Sequence, residues 1–440
     1  MKICSKKDIT VLSGIMAASL LLGGCTATVK PGNEENTNNT KVTKSEAGTK
    51  TGINLDEVSK TTYDQKTMDE LYRKYCFDLF CQTVQDYGSG TNIMISPASV
   101  MMALDMVAAG AKGESLDQLT ALFAAGQGPL TQQAYASALM DRINEAEGVD
   151  FSCANAVWSN KTILGDSVVP EYITYIQDTF NAEYNVSKFS NKTPGEINDW
   201  VDKHTEHMIE KVIDDLDPSD VMVLVNAISF DAKWEDPYEY EQVREAEFTK
   251  WDGSTQKVDF LYGMENNYFE TEKATGFMKA YEGGQYSFLT ILPADENMSA
   301  NDFVKSFTAE DYEEFISSVS YEYEVVTRMP VFKYDFQCLM NKTLKNLGAT
   351  DVFSSATADL SGIAGEPGDI YVSQVIHKTH IEVDAEGTKA AAVTAIELRA
   401  GAAAPMEHEY RYVQCDRPYV YAIIDNETMA PVFIGTVNEV

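Results

Sequence analysis

Val383-Asp384-Ala385-Glu386-Gly387-Thr388-Lys389-Ala390-Ala391-Ala392-Val393-Thr394 runs from a strand through a glycine into side chains that are nearly all small. Ala395-Ile396-Glu397-Leu398-Arg399-Ala400-Gly401-Ala402-Ala403-Ala404-Pro405-Met406 continues it. A surface connection normally carries polar turn formers. Here Thr388, Ala390, Ala392 and Thr394 instead fall at period two, on one face of an extended chain. Small residues on that face can enter between packed elements without overpacking. An alanine-rich surface helix competes with this reading, since Ala is the strongest helix former. The rest of the chain decides between them.

The N-terminus carries Lys2, Lys6 and Lys7, an apolar run from Ile9 to Leu22, and then Leu22-Gly23-Gly24-Cys25. That is the pattern of a secretory signal closed by a bacterial lipoprotein box, with residues 1–24 removed and Cys25 acylated. The run falls short of the ~20 residues a spanning helix needs. It predicts an extracellular protein anchored by lipid at the cell surface. Residues 25–60 are rich in Asn, Thr, Lys, Glu, Gly and Ser and almost free of bulky apolar side chains. Such a stretch cannot bury enough surface to order itself and reads as a polar tether. The body, 61–440, contains no second linker and no repeat, so it reads as one domain.

The formal net charge is −34; residues 1–24 hold three Lys and one Asp, a net +2, so the mature form stands at −36. Nucleic acid and anionic membrane surfaces are poor partners for such a chain. Of the 7 cysteines, Cys4 leaves with the signal and Cys25 carries the lipid. Cys76, Cys81, Cys153, Cys338 and Cys415 lie in apolar patterns without a CxxC pair and read as buried thiols, with a single disulfide as the alternative.

Periodicity predicts helices over residues 68–85, 97–109, 115–123, 132–146, 169–183 and 198–213 in the first half, with short strands at 92–95 and 150–158. Ser96 caps the second helix and Pro97 takes its first turn, where the missing N–H costs nothing. Val221 to Ile228 is a continuous apolar run, the mark of a strand buried on both faces. After Trp234 the pattern turns to strands at 246–251, 256–261, 277–281, 287–293, 321–332 and 369–384, with one helix at 339–347. A tight hairpin closes the chain, Tyr419–Ile424 with Val432–Thr436. Helices first and strands later, without βαβ alternation, indicate an α+β fold.

Six fragments in order resemble the serpin family. They are Asn92-Ile93-Met94-Ile95-Ser96-Pro97-Ala98-Ser99-Val100, Ile197-Asn198-Asp199-Trp200-Val201, and Leu224-Val225-Asn226-Ala227-Ile228-Ser229-Phe230-Asp231-Ala232-Lys233-Trp234. Met329-Pro330-Val331-Phe332 with Leu347-Gly348-Ala349-Thr350-Asp351-Val352-Phe353, then Val375-Ile376-His377-Lys378, then Asp416-Arg417-Pro418-Tyr419-Val420 complete the set. The resemblance implies roughly nine helices around three β-sheets with an exposed reactive-centre loop. It makes Glu386, Gly387, Thr388, Ala390, Ala391 and Ala392 the hinge of that loop. It makes Ser96, Ser99, Asn226 and His377 the polar cluster where the central strands part. Such a network is stable when fully satisfied and costly when broken, so it can gate opening. Ser229, Ala232, Ala385 and Lys389 depart from the family pattern, but none puts bulk on the inserting face.

The implied function is a suicide substrate: a serine protease cuts the loop, and the hinge side inserts into the sheet and traps the acyl-enzyme. The family's usual offset from Gly387 puts the cut at Gly401-Ala402, whereas counting back from Pro418 moves it towards Met406-Glu407. Ala400, Gly401, Ala402 and Met406 suit an elastase- or subtilisin-like pocket, and Arg399 alone would suit a trypsin-like one. A non-inhibitory surface binding protein, and an inhibitor of papain-like cysteine proteases, are the alternatives. No Gly-x-Ser-x-Gly elbow and no glycine-rich phosphate loop occurs, so an enzyme is not expected. His204 and His207, with Glu206 and Glu210, form a faint metal-like pattern whose spacing matches no metalloprotease signature and reads as a solvated helix face. No cofactor or metal is expected, and the protein is expected to be a monomer.

Overall fold

The computed structural model describes residues 52–165, 167–205, 207–388 and 409–440. Among them are eleven α-helices and three sheets. Two of the helices, Leu55–Val58 and Lys161–Leu164, are single turns, which leaves nine longer ones.

One layer is a six-stranded sheet in the order Phe332–Leu339, Val372–Val383, Gly387–Thr388, Met222–Lys233, Val149–Asn160, Glu183–Ser187. Met222–Lys233 sits near its middle and is buried over nearly its whole length. Its side chains alternate between two cores: Met222, Leu224 and Ile228 face the main one, while Val223, Val225 and Ala227 face a smaller one. That is why the strand reads as a continuous apolar run rather than an alternating one. The smaller core is closed by the helix Thr193–His204 through Ile197 and Val201, with Ile209 and Val212 beyond its end.

Beneath the sheet lies the helix Pro97–Ala108, all twelve residues of which are buried. Its start is fixed locally: the Ser96 hydroxyl accepts from the Ser99 N–H, and Pro97 occupies the first turn. A second sheet pairs Glu409–Gln414, Tyr323–Pro330, Thr255–Glu265 and Val243–Thr249. The third is built on the C-terminal hairpin, Tyr419–Asp425 and Pro431–Val437, every residue of which is buried.

Several elements differ from the sequence reading. Within the stretch read as a tether, Ile53 and Val58 are buried and Leu55–Val58 forms a helical turn. The helix expected over 198–213 runs from Thr193 to His204. Beyond it the chain is irregular because Asn198 binds it instead, accepting from the N–H groups of Val212 and Ile213 and donating to the Ile213 carbonyl. The helix expected to 183 stops at Phe180, where Asn181 turns left-handed, and Glu183–Ser187 joins the sheet edge. The run 321–332 is two strands in different sheets, Tyr323–Pro330 and Phe332–Leu339, exchanged at Val331. Two further helices, Ala300–Ser306 and Ala309–Ser317, follow the caps Ser299 and Thr308; Thr308 and Asp311 form a reciprocal capping box.

Cys76, Cys338 and Cys415 are buried and Cys81 is half-buried, all as free thiols; the Cys153 side chain lies outside the described residues. Burial pushes Cys81 and Cys338 up to about 12, so neither is a ready thiolate.

Asp105 is the most isolated acid in the core. Its carboxylate accepts from the side-chain amides of Gln132 and Gln133, while its second oxygen has no partner among the described residues. Burial holds its carboxyl well above the usual carboxylate range. The folded protein therefore keeps a proton that the unfolded chain releases above about pH 4, and stability falls as pH rises from there. Asp105→Asn should be more stable at pH 7 by about 1–3 kcal/mol, with the advantage shrinking as pH falls to 4; calorimetry from pH 4 to 8 measures it.

Candidate functional site

The strands Met222–Lys233 and Val372–Val383 run parallel and bond directly only from Val372 and Met222 to Thr379 and Ile228. Above that point they part, and the chain that follows Val383 folds back into the opening. Val383 pairs with Thr388, while Gly387 and Thr388 pair antiparallel with Lys233 and Ala232.

A tight turn makes this reversal. The Asp384 carboxylate accepts from the N–H groups of Glu386 (2.8 Å) and Gly387 (3.1 Å), and the Asp384 N–H donates to the Gly387 carbonyl (3.0 Å). Asx turns of this kind satisfy backbone donors locally. Trp234 clamps the turn twice, from its N–H to the Glu386 carbonyl (2.9 Å) and from its indole N–H to the Asp384 carbonyl (2.9 Å). The Tyr238 N–H adds a bond to the Ala385 carbonyl at 2.8 Å. Gly387 is required here: a Cβ at this position would lie 2.1 Å from the Ala232 carbonyl oxygen. Thr388 is buried, and its hydroxyl lies 2.6 Å from that of Tyr281. Ala385, where the family commonly has an acid, packs against the core. The nearby buried Lys279 finds its counter-charge in Glu265 at 3.3 Å and lies over the Trp234 and Tyr238 rings.

Lower in the same seam the structure places Ser96, Ser99, Asn226 and His377 in one buried cluster. The Ser96 N–H donates to His377 Nε2 at 3.1 Å. The Ser99 hydroxyl donates to Asn226 Oδ1, and Asn226 Nδ2 donates back to the Ser99 carbonyl at 3.0 Å. Asn155 belongs with them and was missed: it faces Asn226 across the strands and accepts from its Nδ2 at 2.6 Å. Its signal was a lone amide among the apolar residues of 154–157. His377 and Asn226 are partners in the closed ladder below the opening. Because Nε2 accepts, the ring proton resides on Nδ1, which has no partner among the described residues.

Ala390, Ala391 and Ala392, the cleavage candidates Arg399, Ala400, Gly401, Ala402 and Met406, and Cys25 lie outside the described residues. His204 and His207 do not converge: His204 pairs with Glu183 at 3.2 Å and stacks on Trp200, while His207 pairs with Asp202 at 2.8 Å. Among the described residues no group of three His, Cys, Asp or Glu could hold a metal ion.

The main sheet is thus parted at its centre, with Gly387 and Thr388 seated in the opening. The model of the family described as Serpin (serine protease inhibitor) matches residues 70–440, and the chain belongs to the serpin family. It is 28% identical over 371 residues to an uncharacterised serpin-like protein of Methanosarcina mazei, covering 82% of this chain and 85% of that one. It is 30% identical over 375 residues to leukocyte elastase inhibitor A of Mus musculus, covering 82% of this chain and 97% of that one. The crystal structure of a thermophilic serpin, tengpin, in its native state superposes with a TM-score of 0.77 at 36% identity, covering 86% of this chain and 96% of that one.

Burial lowers His377 to about 3, because a charged imidazole would have no solvent. Below its ordinary value near 6.5 the unfolded chain takes up a proton that the fold refuses, so stability falls as pH drops from about 6.5 towards 3, by at most ~1.4 kcal/mol per pH unit. His377→Ala should be the less stable protein at pH 7, yet its deficit should narrow steadily between pH 6.5 and 4. Denaturant midpoints of the two proteins across that range measure the convergence. A constant deficit would show that His377 does not titrate with unfolding.

Proposed function

We propose that this protein is a suicide-substrate inhibitor of serine proteases of elastase- or subtilisin-like specificity. The observation that carries this reading is the seating of Gly387 and Thr388 in the gap, in a register that small residues continue. Extended downwards, that register sets Ala390 between Phe230 and Ile381, Ala392 between Ile228 and Thr379, and Thr394 between Asn226 and His377. The last two pairs are ones that now bond each other directly, so entry of the loop consists of parting them. Ala or Thr at the inward positions adds little volume to a close-packed interior.

In this mechanism the protease serine attacks a loop carbonyl, the peptide bond breaks, and the new N-terminus leaves while the protease stays as an ester on the hinge side. The freed segment enters the sheet and gains on the order of ten ladder hydrogen bonds at ~1 kcal/mol net each. At about 3.3 Å per residue, a dozen or more residues carry the protease ~40–50 Å. Distortion of its oxyanion hole then stalls hydrolysis of the ester. We place the protein at the bacterial cell surface, held by an acylated Cys25 and a polar tether.

Nicking within 397–407 should raise the melting temperature sharply, because the inserted strand completes the sheet; an unchanged melting point would mean that insertion does not occur. Thr388→Arg should convert the protein into a substrate, since a buried unpaired charge blocks entry. Incubation with pancreatic elastase, neutrophil elastase, subtilisin, trypsin and papain, with denaturing gels and mass spectrometry of the released peptide, reads both target and bond. Stable complexes with the elastases or subtilisin, cut among Ala400, Gly401, Ala402 and Met406, are expected. A complex with trypsin alone, cut after Arg399, overturns the specificity. Complexes with papain indicate the cross-class inhibitor, and cleavage without complexes indicates the non-inhibitory binder.

Anchoring has its own test. Cys25→Ser should abolish acylation and membrane retention, read as loss of the acyl mass and of protein from the membrane fraction.

A further inference from the structure

Tyr281 lies outside every motif that the sequence singles out, yet its hydroxyl is the one that meets the hinge. Its ring is fixed on two sides: it stacks on Trp234 at 4.6 Å and 13°, and Phe230 meets it edge-on at 4.9 Å. An isolated antiparallel bridge ties Tyr281 to Trp234, and the Tyr281 N–H donates to the Tyr286 carbonyl at 3.0 Å. The phenol therefore cannot swing aside, and its hydroxyl is held in the dry interior. Among the described residues only the Thr388 hydroxyl, 2.6 Å away, satisfies it. The close approach of Gly387 to the Ala232 carbonyl brings Thr388 to that point.

We propose that Tyr281 is a positioning residue for loop entry: with Thr388 it forms a hydroxyl seat that keeps the first residue of the inserting segment in the sheet of the uncleaved protein. The consequence for inhibition rests on the reading under Proposed function. There, insertion competes with hydrolysis of the acyl-enzyme, and a segment whose first pair is already made starts ahead. A serine at 388 keeps the hydroxyl and serves the seat; a valine fills the space but leaves the phenol unpaired.

The test compares Tyr281→Phe, Thr388→Val, Thr388→Ser and the double variant Y281F/T388V in full-length protein. Tyr281→Phe keeps the ring stack and strands one buried hydroxyl; the double variant removes both hydroxyls together. Amide hydrogen exchange is followed at Trp234 and Tyr238, whose N–H groups bond the hinge carbonyls of Glu386 and Ala385. Each variant lacking one hydroxyl should exchange about tenfold faster there. Thr388→Ser should match wild type, and the double variant should return most of the way. Unchanged exchange in Tyr281→Phe and Thr388→Val overturns the seat. So does acceleration that spreads to Tyr419–Asp425 and is not rescued in the double variant, because that is general loosening.

Against a protease that the wild type traps, Tyr281→Phe and Thr388→Val should need several-fold more inhibitor per protease inactivated, while the rate of loop cleavage stays the same. An unchanged stoichiometry overturns the role in entry. If the wild type traps no protease, the inhibitory reading fails, and the exchange data still decide whether the seat exists.

Discussion

Everything in this molecule depends on a parallel strand pair that is bonded along only part of its length. Met222–Lys233 and Val372–Val383 share a ladder as far as Thr379 and Ile228 and then separate. Backbone groups in a layer covered on both faces must find partners. Above the fork those partners come from Gly387 and Thr388, and below it the two strands satisfy each other. The sheet thus has two ways of meeting the same demand. One uses the existing parallel pair, and the other uses an antiparallel strand on each side.

A buried polar cluster backs the lower ladder. Asn226 accepts from Ser99, donates to the Ser99 carbonyl and to Asn155, and lies opposite His377. Each bond lost from this cluster would strand a buried group. The outer cover has a core of its own. The helix Thr193–His204 and the chain after it form their own small core. That chain is tied to the strands below by few polar contacts, notably Gln337 to the Val212 carbonyl and Lys378 to the Lys211 carbonyl. A satellite cluster can open at less cost than the main core, which stays whole beneath the sheet.

The sequence by itself determined the class of fold. A twelve-residue buried helix announced by Ser96-Pro97, a central strand readable as an unbroken apolar run, and the C-terminal hairpin all depend on local chemistry, and all three are where local chemistry puts them. The small side chain at 388 was also legible in the period-two pattern, whereas the need for glycine at 387 comes from its approach to the Ala232 carbonyl. Ala300–Ser306 and Ala309–Ser317 carried readable caps that a strand-rich context obscured.

Only the tertiary structure decided the rest, and the physical reason is the same in each instance: partners brought together from far along the chain. Asn198 ends a helix early by capturing the backbone of 212–213, a competition that no helical periodicity encodes. The exchange of sheets at Val331 depends on which neighbours each half meets, not on its own pattern. Asn155 joins the polar cluster through Asn226, 71 positions away, and Tyr281 reaches Thr388 across 107. Sequence fixes which groups need a hydrogen bond, while the fold selects which distant group supplies it.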